Sequence, residues 1–243
     1  MPNKQPANPS PAAPVPGFQT EFHDALDALH QRLCREGMLA LELLEAAISA
    51  FKKCDRSAAK ALRARDTEVD EEEVHIEEET VRLIALHQPV ARDLRRLMLI
   101  IKSNADIERI ADHAMGLCKS VLYLDADENP TWPTALLDMA DRVIPRSHDA
   151  LRALQAIDAD AAQKLISEDA TLDSLARRAF EEIEHSEACG RITNRAALLA
   201  FRASRELERI SDLVGAICED IVYTRTGRII RHAKRLNPPA KPA

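Results

Sequence analysis

From Thr20 onward apolar residues recur every three or four positions, the spacing of a helix with one buried side. Leu26, Leu29, Leu33, Leu41, Leu44 and Ile48 form the first stripe and predict a helix over about Thr20–Cys54. A turn across Lys53, Asp55 and Ser57 leads to a second helix ending near Leu86. His87-Gln88-Pro89 reads as a stop and restart, because proline suits the first turn of a following helix. The third helix runs to about Leu124, where Asp127, Glu128, Asn129 and Pro130 break it. Further helices are predicted near Thr134–Ile157, Ala159–Glu187 and Asn194–Thr226. No segment alternates with period two over a useful length, so the class is all-α.

The chain repeats itself. A shift of 100 residues lays NADIERIADHAMGLCKSVLY (104–123) over SRELERISDLVGAICEDIVY (204–223). Leu99/Leu199, Glu108/Glu208, Arg109/Arg209, Ile110/Ile210, Asp112/Asp212, Cys118/Cys218 and Tyr123/Tyr223 coincide. A shift of 103 carries Asp66 and Asp70 onto Asp169 and Asp173. The expectation is two tandem three-helix bundles, at 18–126 and 131–232. Residues 1–17 hold six of the thirteen prolines and read as a disordered tail, with 233–243 as a second one.

Composition narrows the function. Only 6 glycines occur in 243 residues, and no GxGxxG or GxxxxGK[ST] phosphate loop is present. A net charge of −7 and a pI near 5.7 argue against non-specific nucleic-acid binding. Cys34, Cys54, Cys118, Cys189 and Cys218 are scattered, without a CxxC pair, and read as free thiols in a reducing cytoplasm. No apolar run approaches the ~20 residues of a membrane helix, and no signal-peptide core follows Lys4.

The repeat also preserves acids four residues apart: Asp66 with Asp70, Glu108 with Asp112, Asp169 with Asp173, and Glu208 with Asp212. Such neighbours share a helix face and repel by about 0.2–0.5 kcal/mol per pair. A hard multivalent cation bridging the oxygens offsets that cost, and carboxylates suit Mg, Mn or non-haem iron. Glu108 and Asp112 continue the line of Val90, Leu94, Leu97 and Ile101, and Asn104 adds an amide oxygen one turn earlier, where the second half has Ser204. The simpler reading of any single pair is a solvated face, or neutralisation by Arg109 and Arg209. Glu72 with His75 and Glu182 with His185 each have E-x-x-H spacing, as in ferritin-like di-iron bundles, but the repeat does not superpose them. Cys118 and Cys218 fall on apolar positions and read as core, and Trp132 as a cap on the junction between halves. The basic stretch Arg225, Arg228, Arg231, His232, Lys234 and Arg235 suits an acidic partner or lipid headgroups, though a solvated helix end is simpler. Spacing offers no catalytic constellation, so an enzyme is not expected.

QPVARDLRRLMLIIKSNADIERIADHA (88–114) and FRASRELERISDLVGAICEDIVY (201–223) resemble the two signature segments of the PhoU family, and the likeness extends over about residues 20–232. The resemblance implies multinuclear metal clusters, iron in some members, held by Asp66, Asp70, Glu108 and Asp112 and by Asp169, Asp173, Glu208 and Asp212. Ala111 and Ser211 stand where the family's usual string has glycine. It further implies a cytoplasmic, commonly dimeric negative regulator of the phosphate-starvation response. Such a protein links a phosphate ABC transporter to a sensor histidine kinase. A ferritin-like di-metal oxidoreductase and an accessory protein of another transporter remain the alternatives.

Overall fold

The structure is a computed structural model describing residues 16–168 and 170–230, with side chains described except at 16–19, 170 and 173. It contains α1 (Pro16–Lys53), α2 (Arg56–Ala61), α3 (Arg63–His87), α4 (Ala91–Leu122), α5 (Thr134–Ala156), α6 (Ala159–Ser167), α7 (Ala170–Ala188) and α8 (Asn194–Thr226). No strand occurs among the described residues. Of the tails predicted at 1–17 and 233–243, residues 1–15 and 233–243 lie outside the described residues, but Pro16 and Gly17 already belong to α1. Proline is compatible with this place because a helix's first turn has no internal use for its N–H.

Sequence periodicity predicts six helices; the structure divides the second and the fifth. Asp55 caps α2 by accepting from the Ala58 amide, and Asp158 caps α6 by accepting from Asp160 and Ala161. These two aspartates are related by the same 103-residue shift as the acidic pairs. Each follows a residue forced into the left-handed region, Cys54 at φ 52° and Ile157 at φ 48°. The chain therefore reverses sharply and restarts at once as a short helix, in both repeats. Elsewhere Gln88 (φ 45°) ends α3 just before Pro89, and Gly227 (φ 71°) ends α8.

The two repeats share one apolar core. Their last helices, α4 and α8, form the most extensive pairing, and α1 packs on α5. Arg95 with Thr224, Lys102 with Asp220 and His113 with Glu206 show that α4 and α8 run antiparallel. The predicted stripe Ile107, Ile110, Ala114, Leu117 and Val121 is buried, as are its counterparts Leu207, Ile210, Val214, Ile217 and Ile221. Cys118 and Cys218 are core residues as expected. Trp132 is buried at the junction of the halves, stacked on Phe51 at 4.7 Å and donating to the Phe51 carbonyl at 2.8 Å.

Gly116 of α4 leaves room for the Glu206 side chain of α8. A Cβ there would stand 2.4 Å from Cδ of Glu206. That carboxylate is held by His113 at 2.7 Å and by Arg202 at 3.4 Å. Burial works against its ionised form, but the His113 and Arg202 contacts outweigh this and keep it below the usual range. Gly116→Ala is expected to swing the Glu206 carboxylate off His113 and to cost about 0.5–1.5 kcal/mol in urea unfolding through the lost contact. Gly215→Ala, a helical position with open space around the added carbon, is expected to be neutral or to gain about 0.4–1 kcal/mol. Equal effects of the two substitutions would count against this packing.

Candidate metal centre

Because α3 and α4 are joined by a tight turn at Pro89, their register is fixed by counting outward from it. Asp66 and Asp112 are each 23 residues from Pro89, and Asp70 and Glu108 are each 19. Two antiparallel helices of equal rise therefore set these carboxylates side by side. Asp66 and Glu108 are half-buried, while Asp70 and Asp112 are exposed. The same count about Gly190 and Arg191 pairs Asp169 with Asp212 and Asp173 with Glu208.

The four first-repeat acids behave as one crowded face. Burial, then the charges of Asp112, Asp70 and Glu73, push the Glu108 carboxyl up to about 7, against a partial opposing effect of Arg109. Asp66 is raised by burial and by Asp70 and Asp112. Asp70 is raised by burial and by Asp112. Like charges held together on a partly dry surface resist ionisation, and a cation placed among them would reverse the effect.

Three further residues belong to this face. Glu73 on α3, one turn beyond Asp70, is raised by burial and by Glu77 and Asp70. Asn104, 1% exposed, donates to the Glu73 carbonyl at 2.9 Å, so its amide oxygen is left over. Glu36 on α1 is fully buried, and burial together with Glu73, Glu72 and Glu108 pushes its carboxyl up to about 9. Both Glu36 carboxyl oxygens, the Asn104 Oδ1 and one Asp66 oxygen are buried without a hydrogen-bond partner. Buried acceptors are ordinarily satisfied, so four together at one face call for a positive ligand or a proton. Asn104 was legible in the sequence; Glu36 and Glu73 lie outside the four-residue spacing and were not. The internal repeat carries the signal for Glu36, since its counterpart under the 103-residue shift is Met139.

The second repeat is built differently. Met139, Ala176 and Ser204 stand at the positions of Glu36, Glu73 and Asn104. Ser204 donates to the Met139 sulfur at 3.7 Å, so this interior is apolar and satisfied. Glu208 is paired with Arg205 at 2.5 Å, and Asp212 with Arg209 at 3.6 Å. Asp169 lies outside the described residues, as does the Asp173 side chain.

Among the described residues no group of three or more His, Cys, Asp or Glu side chains is already gathered around a common ion-sized point. The first-repeat acids share a face and a field rather than a finished cage. The E-x-x-H pairs lie on helices of different repeats, α3 and α7. Glu72 is bound by Arg32 in a forked contact, which holds its carboxyl low. Glu182 accepts from the Ala135 amide at 2.8 Å and pairs with Arg178 at 3.5 Å. His185 lies against Cys189 at 3.7 Å. The structure thus does not bring these two pairs together. Of the basic stretch, Arg225 and Arg228 are described and exposed, while Arg231, His232, Lys234 and Arg235 lie outside the described residues.

Comparison with known proteins places this arrangement among relatives. The PhoU domain matches residues 33–121 and again 136–221, one match per repeat. The chain is 31% identical over 212 residues to the Escherichia coli K12 phosphate-specific transport system accessory protein PhoU, spanning 87% of this chain and 88% of that one. A PhoU homologue from Clostridium acetobutylicum is 30% identical over 210 residues, spanning 85% and 95%. The crystal structure of PhoU from Pseudomonas aeruginosa superposes with a TM-score of 0.81 at 29% identity, covering 85% of this chain and all (100%) of that one. A regulatory PhoU of Streptococcus pneumoniae gives 0.77 at 27% identity, covering 87% and 98%.

Burial of Glu36 carries a pH signature. Its carboxyl ionises at an ordinary 4.5 when unfolded and at about 9 when folded, so between these values the unfolded state binds fewer protons. Stability must therefore fall as pH rises through this window. Urea unfolding in the presence of a chelator is expected to show Glu36→Gln gaining on the wild type as pH goes from about 5 to about 8. A wild-type-to-variant difference that stays constant with pH would place Glu36 in water.

Proposed function

The chain belongs to the PhoU family, and on that premise we propose that it is a cytoplasmic adaptor in phosphate signalling, accessory to a phosphate ABC transporter. It restrains a sensor histidine kinase when phosphate is plentiful and so acts as a negative regulator of the phosphate-starvation response. The observation that carries this reading is the family match in each repeat, joined to a fold superposing on PhoU structures over most of the chain. No helix among the described residues is long and apolar enough to cross a membrane, so contact with a membrane-bound transporter or kinase runs through their exposed domains. The protein works as a homodimer presenting helical surfaces.

Metal belongs to this proposal. The first-repeat donors are carboxylate and amide oxygens, a set suited to a hard cation, with iron clusters as the family resemblance implies. Asp66, Asp70, Glu108 and Asp112 hold it on the first repeat, with the buried Asn104 and Glu36 oxygens behind them. Asp169, Asp173, Glu208 and Asp212 form the corresponding site on the second. Bound metal supplies positive charge that cancels the repulsion on the α3–α4 face. The residues' own part is to clamp two antiparallel helices across that charge and so stiffen a docking surface.

A deletion strain is expected to express phosphate-starvation genes in high phosphate; a strain that keeps them silent contradicts the regulatory role. Elemental analysis of protein purified without chelators or an affinity tag is expected to show metal lost in Glu108→Ala/Asp112→Ala. The Glu208→Ala/Asp212→Ala variant tests the second repeat in the same way. Unchanged metal in both variants would remove the cation sites and leave the adaptor reading standing.

A further inference from the structure

At the far end of the repeat seam lies a second charged feature, opposite in sign to the acid face. The first turns of α4, the last turn of α8 and the turn between α5 and α6 enclose a cavity of about 550 Å³. Arg92, Arg95, Arg96 and Arg225 line it, and among the described residues no acid does. In a chain of net charge −7, four guanidiniums around one space are not explained by composition.

Neutralisation accounts for only part of the cluster. Arg96 is paired with Asp27 at 2.5 Å, and Arg95 donates to the Thr224 carbonyl at 3.3 Å near the end of α8. Asp93, the one acid in the first turn of α4, is engaged with His23 at 3.4 Å. Arg225 sits in the last turn of α8, where positive charge complements the helix dipole. Arg92 has no such role at the opposite, amino-terminal end of α4. Neither Arg92 nor Arg225 makes an ion pair or hydrogen bond among the described residues, and both are exposed. A guanidinium presents a fork of donors matched to oxyanions, and two unpaired forks facing one space ask for an anion with several charges.

We propose that this cavity binds a phosphate-bearing polyanion, either a soluble oligophosphate or clustered phosphate headgroups, gripped by Arg92 and Arg225 with Arg95 and Arg96 as the floor. The site draws on α4 from one repeat and on α5 and α8 from the other, so its ligand ties the repeats together. It does not rest on the acid face holding metal.

Isothermal titration of the full chain with tripolyphosphate, at low salt and without divalent cations, tests the soluble source. One saturable site is expected. Arg92→Ala/Arg225→Ala is expected to weaken it by about tenfold or more through loss of two charge-assisted contacts. Arg142→Ala/Arg177→Ala removes the same charge from exposed positions outside the cavity and is expected to leave binding unchanged, as is any heat from chelation of residual metal. Flotation with phosphatidylglycerol vesicles tests the headgroup source: vesicle capture without tripolyphosphate binding assigns the site to headgroups, again with loss in the Arg92/Arg225 variant. Binding that survives in that variant, that falls equally in the control variant, or that is absent for both probes overturns the proposal.

Discussion

The antiparallel packing of α4 against α8 is the constraint on which the molecule depends. Each helix is the last of its repeat, and each buries its apolar stripe against the other bundle as well as its own. A duplicated unit meeting its own copy in this way is the intrachain form of a two-fold interface, where one self-complementary surface serves both sides. The fit is tight enough that one added carbon at Gly116 would strike Glu206. With α4 and α8 committed to the seam, α3 and α7 are left at the flanks, and the acids of α3 and α4 fall on the surface between them.

That geometry sets the energetics of the acid face. Six carboxyls, Glu36, Asp66, Asp70, Glu73, Glu108 and Asp112, lie within reach of each other's charge, and burial adds to the repulsion for most of them. Proteins seldom bury a carboxylate without a partner, and burial with mutual repulsion favours the protonated form on this face. The two repeats have diverged on this point. The first repeat buries Glu36 and Asn104, whereas the second has Met139 and Ser204 at the corresponding positions, in contact with each other, which removes the buried charge while keeping a side chain of similar length.

Charge is divided along the seam as well as between repeats. Acids crowd the α3–α4 flank, while arginines gather where α4 begins and α8 ends. The two oppositely charged features share no residue with each other.

The sequence by itself determined the helical class, the duplication and the four acidic pairs, because each is written in local spacing: the 3.6-residue period, a fixed shift between copies, and four-residue steps on one face. Even the register that sets Asp66 beside Asp112 follows from counting out from Pro89. Tertiary structure alone decided the rest. Glu36 sits on α1, thirty residues before the nearest acid of the quartet; local period and the repeat place its position on a buried stripe, but only the packing of α1 against α3 and α4 brings it to the acid face. The arginine cavity joins residues more than a hundred positions apart. Division of the middle helices at Leu62 and near Glu168 was likewise invisible to periodicity, because the apolar pattern continues across the break. Contacts between distant segments depend on which faces the packed helices turn toward one another, and that is settled only when both copies close on a single core.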